Sequence, residues 1–248
     1  LQSHVSGENE VIGLSFLAAR YDFGESMKII RTSQVEHQYL KILTYAQSAG
    51  GKTRLCATAP NPVVVSAEAG LLSLRDYDLP AIQVATLADV QEAYKFIAES
   101  DEMKDIEWVC IDSISEIAEV VLATEKRNAK DPRRAYGEMQ DRMTSLIRAF
   151  RDLPKNVYMS CKQERVADES GVVGFGPSMP GTKLSQQLPY FFDEVFCLRV
   201  NQNEEGETQR FLQTQPDGVY QAKDRSGVLD RYEIPHLGKI AEKMKGTK

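Results

Sequence analysis

The sequence predicts an α/β domain with a mostly parallel central sheet flanked by helices and a β-rich C-terminal section. Three observations carry this. From Leu40 onward, short apolar runs alternate with stretches of helical period, the pattern of parallel strands joined by crossover helices and covered on both faces. A glycine-rich turn separates the first apolar run from the first helical stretch. Two later runs, Val63-Val64-Val65 and Trp108 to Ile111, lead into acids, and in such sheets ligands gather at the carboxyl ends of the strands.

Taken in order, residues 1–34 lack a sustained pattern and form an extension before a core spanning 35–248; Met27 is a candidate internal start. Leu40 to Tyr45 is the first strand. A helix follows from Lys52 to Thr58, then Pro60-Asn61-Pro62 and the strand Val63-Val64-Val65. A short strand at Ile82 to Ala85 precedes a helix from Leu87 to Glu99 with Val90, Ala93, Tyr94 and Ile97 on one face. The strand Trp108 to Ile111 leads into a helix from Ile114 to about Glu125, a basic loop from Lys126 and a second helix from Gly137 to Leu153. Next come the strand Val157 to Cys161, a Gly/Pro-rich segment from Val166 to Gly181, a helical stretch to Leu188 and the strand Glu194 to Val200. Asn201 to Thr208 reads as a hairpin turn, and Pro235 to Lys248 as a short amphipathic helix.

Composition removes several classes of function. The 248 residues suit one large domain with a small appendage. No apolar run approaches the roughly 20 residues that cross a bilayer, so no membrane role is expected. The first residues show no secretory leader, and Cys56, Cys110, Cys161 and Cys197 stand far apart in apolar surroundings, as buried thiols in a reducing cytoplasm would. With no C-x-x-C pair and scattered His4, His37 and His236, a structural metal site is not expected. A net charge of −6 gives no overall basic footprint, so nucleic-acid binding has to rest on local patches.

The sharpest chemical signal is Ala46-Gln47-Ser48-Ala49-Gly50-Gly51-Lys52-Thr53, a P-loop in its required place between strand and helix. Backbone N–H groups of such a loop, Arg54 included at its end, cradle phosphates; the lysine reaches the β/γ-phosphates and the threonine hydroxyl binds Mg²⁺. Ala46 departs from the usual glycine, which predicts a slightly strained turn. Asp112, ending an apolar strand, is the second Mg²⁺ ligand, or else a turn acid beside the helix cap Ser113. Glu68 ends a strand at the same sheet edge and is the candidate base that orients a water for attack on the γ-phosphate.

This order of parts resembles the RecA-like P-loop ATPases, and more closely the small phage-encoded RecA-like recombinases and annealing proteins. The match includes ATAPNPVVVSAEAG (57–70), GPSMPG (176–181), LPYFFDEV (188–195) and AKDRSG (222–227), and covers roughly residues 40–235. The resemblance implies ATP and Mg²⁺ as cofactors, Glu68 as the catalytic acid, and assembly into a filament or ring with nucleotide between protomers. It also implies two loops that bind single-stranded DNA. The first carries Lys126, Arg127, Lys130, Arg133, Arg134 and Tyr136, a positive patch with an aromatic that can stack on a base. The second runs from Arg165 to Lys183, with Lys162 at its entry, and Lys162 or Gln163 would sense the γ-phosphate. Lys223 and Arg225 would reach a neighbour's nucleotide as cations acting in trans. Phe16 and Ala19 match a Phe-x-x-Ala polymerisation motif. A single-strand-binding protein is a further expected partner.

Other readings stand beside this one. A nucleotide-gated assembly module acting through protein partners fits the acidic net charge and Ala46. A helicase-type motor is suggested by Lys223 to Gly227. A small-molecule kinase ranks last, since no lid or acceptor pocket is evident in the sequence.

Overall fold

The computed structural model describes residues 39–129, 131–167, 171 and 173–246. Phe16, Ala19, His4, His37 and Lys130, with everything expected of residues 1–34, lie outside the described residues.

Six parallel strands form the centre of the sheet, in the order β7-β1-β5-β4-β2-β3. They are β1 (Lys41–Ala46), β2 (Pro62–Ser66), β3 (Ala81–Gln83), β4 (Trp108–Asp112), β5 (Asn156–Ala167) and β7 (Glu194–Gln202). The remaining strands add to this centre antiparallel. Strand β6 (Val173–Ser178) pairs with the outer half of β5, β8 (Thr208–Gln213) and β9 (Lys223–Asp224) with β7, and β10 (Tyr232–Glu233) with β8. The expected mostly parallel sheet with a β-rich closing section is what the chain builds.

Alternation along each strand sorts the core into two layers. Leu43, Val63, Val65, Val109, Ile111, Val157 and Met159 face one side. There they pack against α2 (Leu87–Glu99), α3 (Ile114–Asn128), α4 (Pro132–Arg151) and α5 (Thr182–Gln187). Ile42, Val64, Trp108, Cys110, Tyr158, Phe196 and Leu212 face the other, against α1 (Lys52–Cys56) and α6 (Leu237–Lys245). On β4 this parity matters: Asp112 falls on the side of Trp108 and Cys110, toward α1. All four cysteines are buried free thiols; burial pushes Cys161 up to about 12 and Cys197 up to about 11.

The described residues of two expected loops lie largely in helix and strand instead. The basic stretch from Lys126 is almost wholly helical, because α3 continues to Asn128 and α4 begins at Pro132. Asp131 caps α4 by accepting from the Arg133 amide at 2.9 Å, with proline in the first turn. Lys126 and Arg127 sit in the last turn of α3, where cations favour the helix. The Gly/Pro-rich segment is a hairpin, with β5 running on to Ala167 and β6 returning. Its glycines admit the chain beside it: a Cβ on Gly174 would stand 2.6 Å from the Val219 carbonyl, and one on Gly176 2.6 Å from Gln221 Oε1. Buried Tyr45 holds this packing from within, its hydroxyl lying 3.0 Å from the Phe175 carbonyl and 2.7 Å from that of Gln221. Sequence patterning also missed a 3-10 stretch, Ala69–Tyr77, after Glu68.

Candidate nucleotide site

The parallel register brings the loop, the acids and two serines to one edge. Ala46 pairs with Lys162 and Thr44 with Ser160 across β1–β5, Ile111 pairs with Met159 across β4–β5, and Ser66 pairs with Asp112 across β2–β4. Strand β5 therefore stands between the loop strand and the strand of Asp112.

The loop closes with a turn in which the Gly50 amide donates to the Gln47 carbonyl at 3.2 Å. Ala49 has φ 60° and Gly51 φ 109°. Left-handed residues in such a turn direct successive N–H groups to one side, the geometry that receives an anion. The backbone strain lies at Ala49, where a side chain in this region costs about 1–2 kcal/mol. The expected strain at Ala46 is absent, since Ala46 ends β1 in regular pairing and is not among the residues with positive φ. Its methyl has a different consequence: a Cβ on Gly50 would lie 2.9 Å from Ala46 Cβ and 3.1 Å from the Gln47 carbonyl. Alanine at the first position thus requires glycine at the fifth.

Lys52 folds over the loop, its Nζ 3.2 Å from the carbonyls of Ala46 and Gln47. Burial lowers its pKa, while Asp112 and Glu68 act in the opposite direction. One residue on, Thr53 donates from Oγ1 to Asp112 Oδ2 at 2.6 Å. Ser160 donates to the other oxygen, Oδ1, fixing the carboxylate plane. The Gly70 position completes the cradle, since a Cβ there would meet Thr53 Oγ1 at 3.3 Å and Asp112 Oδ2 at 3.5 Å. Two hard oxygen groups side by side suit Mg²⁺. That ion takes one or two protein oxygens and completes its shell with phosphate and water. Thr53 and Asp112 would hold it, and it would neutralise charge on the phosphates.

Glu68 is part of the same group of contacts. Ser113 donates to its Oε1 at 2.5 Å, and the same serine caps α3 by accepting from the Glu116 amide at 3.4 Å. The cap reading of Ser113 is realised, and Asp112 stands beside it in contact with Thr53 and Ser160. Ser160 and Gly70 are site residues that sequence reasoning missed. A lone serine within the largely apolar Val157 to Cys161 run was the available signal for the first; nothing local marked the second. Beyond the loop lies a cavity of about 470 Å³ whose lining includes Gln47 to Gly50, Gln163, Arg199 and Tyr220. Gln163 thus shares this cavity with the loop, whereas Lys162 is paired with Glu116 at 2.7 Å.

The basic residues expected to meet DNA fall in part together. Lys126 lies over the Tyr136 ring at 5.0 Å, and exposed Arg133 and Arg134 occupy the first turn of α4. Tyr136 and Gln140 reach the turn before α5: a Cβ on Gly181 would be 3.5 Å from Tyr136 Cδ1. Lys183, two residues on, belongs to the same neighbourhood, while Arg127 is exposed in the last turn of α3 and exposed Arg165 projects from β5 opposite Phe175. Ser115 joins the two regions to the acid strand, donating to the Ser178 carbonyl at 2.7 Å and accepting from the Lys162 amide at 2.9 Å.

Lys223 and Arg225 hold contacts within their own chain. Lys223 Nζ donates to the Pro189 carbonyl at 2.7 Å and to that of Phe192, and Arg225 pairs with Asp193 at 2.6 Å. Beside them Glu194 is fully buried, with Oε1 accepting from the Ser226 amide at 3.1 Å and Oε2 unpartnered among the described residues. Burial first, then the Asp224 carboxylate opposite, pushes its pKa up to about 8.

A family model described as an AAA domain matches residues 38–226, well over half of the chain. No curated protein matches the chain.

Two outcomes follow from this geometry. Gly50→Ala should sharply weaken nucleotide binding by forcing the loop open, and Ala46→Gly in the same chain should restore part of it, measured by titration calorimetry. Glu194 keeps its proton in the folded state up to about pH 8 but releases it near its ordinary 4.5 when unfolded. Its contribution is therefore full below 4.5 and declines as pH rises toward 8. Denaturant unfolding of Glu194→Gln across this window should show a flatter pH dependence than the parent; equal slopes would show that the buried carboxyl is not the titrating group.

Proposed function

Because the chain belongs to the AAA domain family of P-loop NTPases, we propose that it is an ATP- and Mg²⁺-dependent ATPase acting on single-stranded DNA in recombination, annealing or repair, as an assembled oligomer. The observation that supports the ATPase reading best is the contact of Thr53 with Asp112, beside a glutamate held at the same edge by Ser113. In this reading Lys52 and the loop amides bind the triphosphate, Thr53 and Asp112 hold the ion, and Glu68 accepts a proton from the attacking water. Water then adds to the γ-phosphorus as the bond to the β,γ-bridging oxygen breaks, giving ADP and phosphate. Gln163, which shares the cavity beside the loop, is the residue suited to register the γ-phosphate.

The DNA part of the reading draws support from the basic first turn of α4, from Lys126 over Tyr136, and from the meeting of Tyr136 with the α5 turn. Cations beside an exposed aromatic suit phosphate backbone and base stacking together. Lys223 and Arg225 would act on a neighbour's nucleotide by exchanging their internal partners for phosphate oxygens. A nucleotide-gated module without DNA is the second reading, favoured by the ion pair that already engages Lys162.

Lys52→Ala should abolish ATP binding in calorimetry, whereas Glu68→Gln should bind ATP and lose about 10²–10⁴-fold in turnover. Unchanged turnover in the latter would remove Glu68 as the base. Reversing Arg133 and Arg134 to glutamate should weaken single-stranded DNA binding and reduce its salt dependence, followed by fluorescence anisotropy at several salt concentrations. ATPase activity indifferent to DNA in the parent would favour the module reading.

A further inference from the structure

The nucleotide loop has a neighbour that no motif marks. Arg210, on β8, crosses to the loop and donates from Nε to the Gly50 carbonyl at 3.1 Å. Its Cδ and Nε each lie 3.4 Å from where a Cβ on Gly51 would stand, and Leu198 of β7 fills the space behind at 3.8 Å. The Gly50–Gly51 peptide is therefore sandwiched between its own loop and the β7–β8 hairpin. Strand parity places Arg210 on the same face of β8 as Thr208, which lines the cavity beside the loop. In register across from it is Val200, another lining residue.

Arg210 forms no ion pair among the described residues, in contrast to Arg134, Arg142, Arg151, Arg199 and Arg225 and in common with Arg54, Arg133 and Arg165. A guanidinium carries five N–H donors in a rigid fork that matches phosphate oxygens. With Nε engaged by Gly50, the terminal Nη groups are the donors left for an anion.

Resting on the assignment of the loop as a triphosphate site, we propose that Arg210 is a second phosphate-contacting cation, supplied in cis by the C-terminal β-section. Nε positions it on the loop, and the Nη groups donate to oxygens of the bound polyphosphate. The β7–β8 hairpin is then a wall of the nucleotide site, and loss of the hairpin would remove a ligand contact as well as strand pairing.

The test uses the full chain and compares Arg210→Ala, Arg210→Lys and Lys52→Ala by calorimetry with Mg·ATP and with inorganic triphosphate, alongside melting temperatures without ligand. Arg210→Ala is expected to weaken both ligands by about tenfold, the scale of a lost charge-assisted bond, with an unchanged melting temperature. Arg210→Lys should recover part of the loss, as a point charge in place of a fork. Unaltered affinity in Arg210→Ala overturns the proposal. A loss confined to ATP overturns it too, since the contact would then be to the nucleoside, and so does a loss that comes with a lowered melting temperature and no rescue by lysine, which makes Arg210 a brace. Parent-like binding by Lys52→Ala is the separate result that would remove the loop assignment itself.

Discussion

A hydroxyl and a carboxylate meeting across an intervening strand is the constraint on which the site depends. Thr53 begins the helix after β1, Asp112 ends β4, and β5 lies between their strands. The 2.6 Å contact exists only if three strands are parallel, in register and of matched length, so that their carboxyl ends finish level. A slip of one residue in β4 would turn Asp112 to the opposite face and replace it with the apolar Ile111. The apolar layers on both faces, anchored by Trp108, Tyr158 and Phe150, are what make such a slip unfavourable. Ser160 then supplies, from the interposed strand, the hydrogen bond that keeps the carboxylate oriented.

Much of this was legible in the sequence because strand parity and the loop motif are local signals. The continuous apolar run Trp108 to Ile111 predicts the strand with Asp112 as the acid at its end, and the spacing around Lys52 predicts the loop without reference to any neighbour. What the sequence left hidden depends on distant partners. Ser160 matters because Asp112 lies on the adjacent strand, and Gly70 because a side chain there would crowd Thr53 and Asp112. Residues 126–134 read as loop from their charge, yet Asp131 followed by Pro132 is a helix start, and charge is no bar to helix when it lies in the terminal turns. The glycines of 171–181 suggested an irregular segment. Two of them are strand residues whose missing side chains admit Val219 and Gln221.

The chain's polar groups divide between two kinds of work. Around the nucleotide loop they are short hydroxyls, Ser66, Ser113 and Ser160, which donate to the Glu68 carbonyl, the Glu68 carboxylate and the Asp112 carboxylate. Such groups lose little rotamer entropy on ordering and fix the acids without adding charge. Around α3, α4 and α5 the polar groups include long cations, some exposed, as Arg133 and Arg134 are, and some closely paired, as Arg142 is with Glu125 at 2.9 Å. Ser115 stands where the two meet, bound to the hairpin carbonyl of Ser178 three residues after Asp112.

Tyr45 gives the hairpin a further property. A phenol has one proton to donate, yet two carbonyls from different segments, those of Phe175 and Gln221, converge on this oxygen at the end of the loop strand. Whichever carbonyl accepts the phenol's hydrogen bond, the two segments stay tied by the Gln221 amide donating to the Phe175 carbonyl, the Phe175 amide donating to the Val219 carbonyl and the stacking of Phe175 on Tyr220. The hairpin and the 219–221 segment are thereby yoked as one body around a single shared atom, and a displacement of either is felt in the strand that carries the phosphate loop.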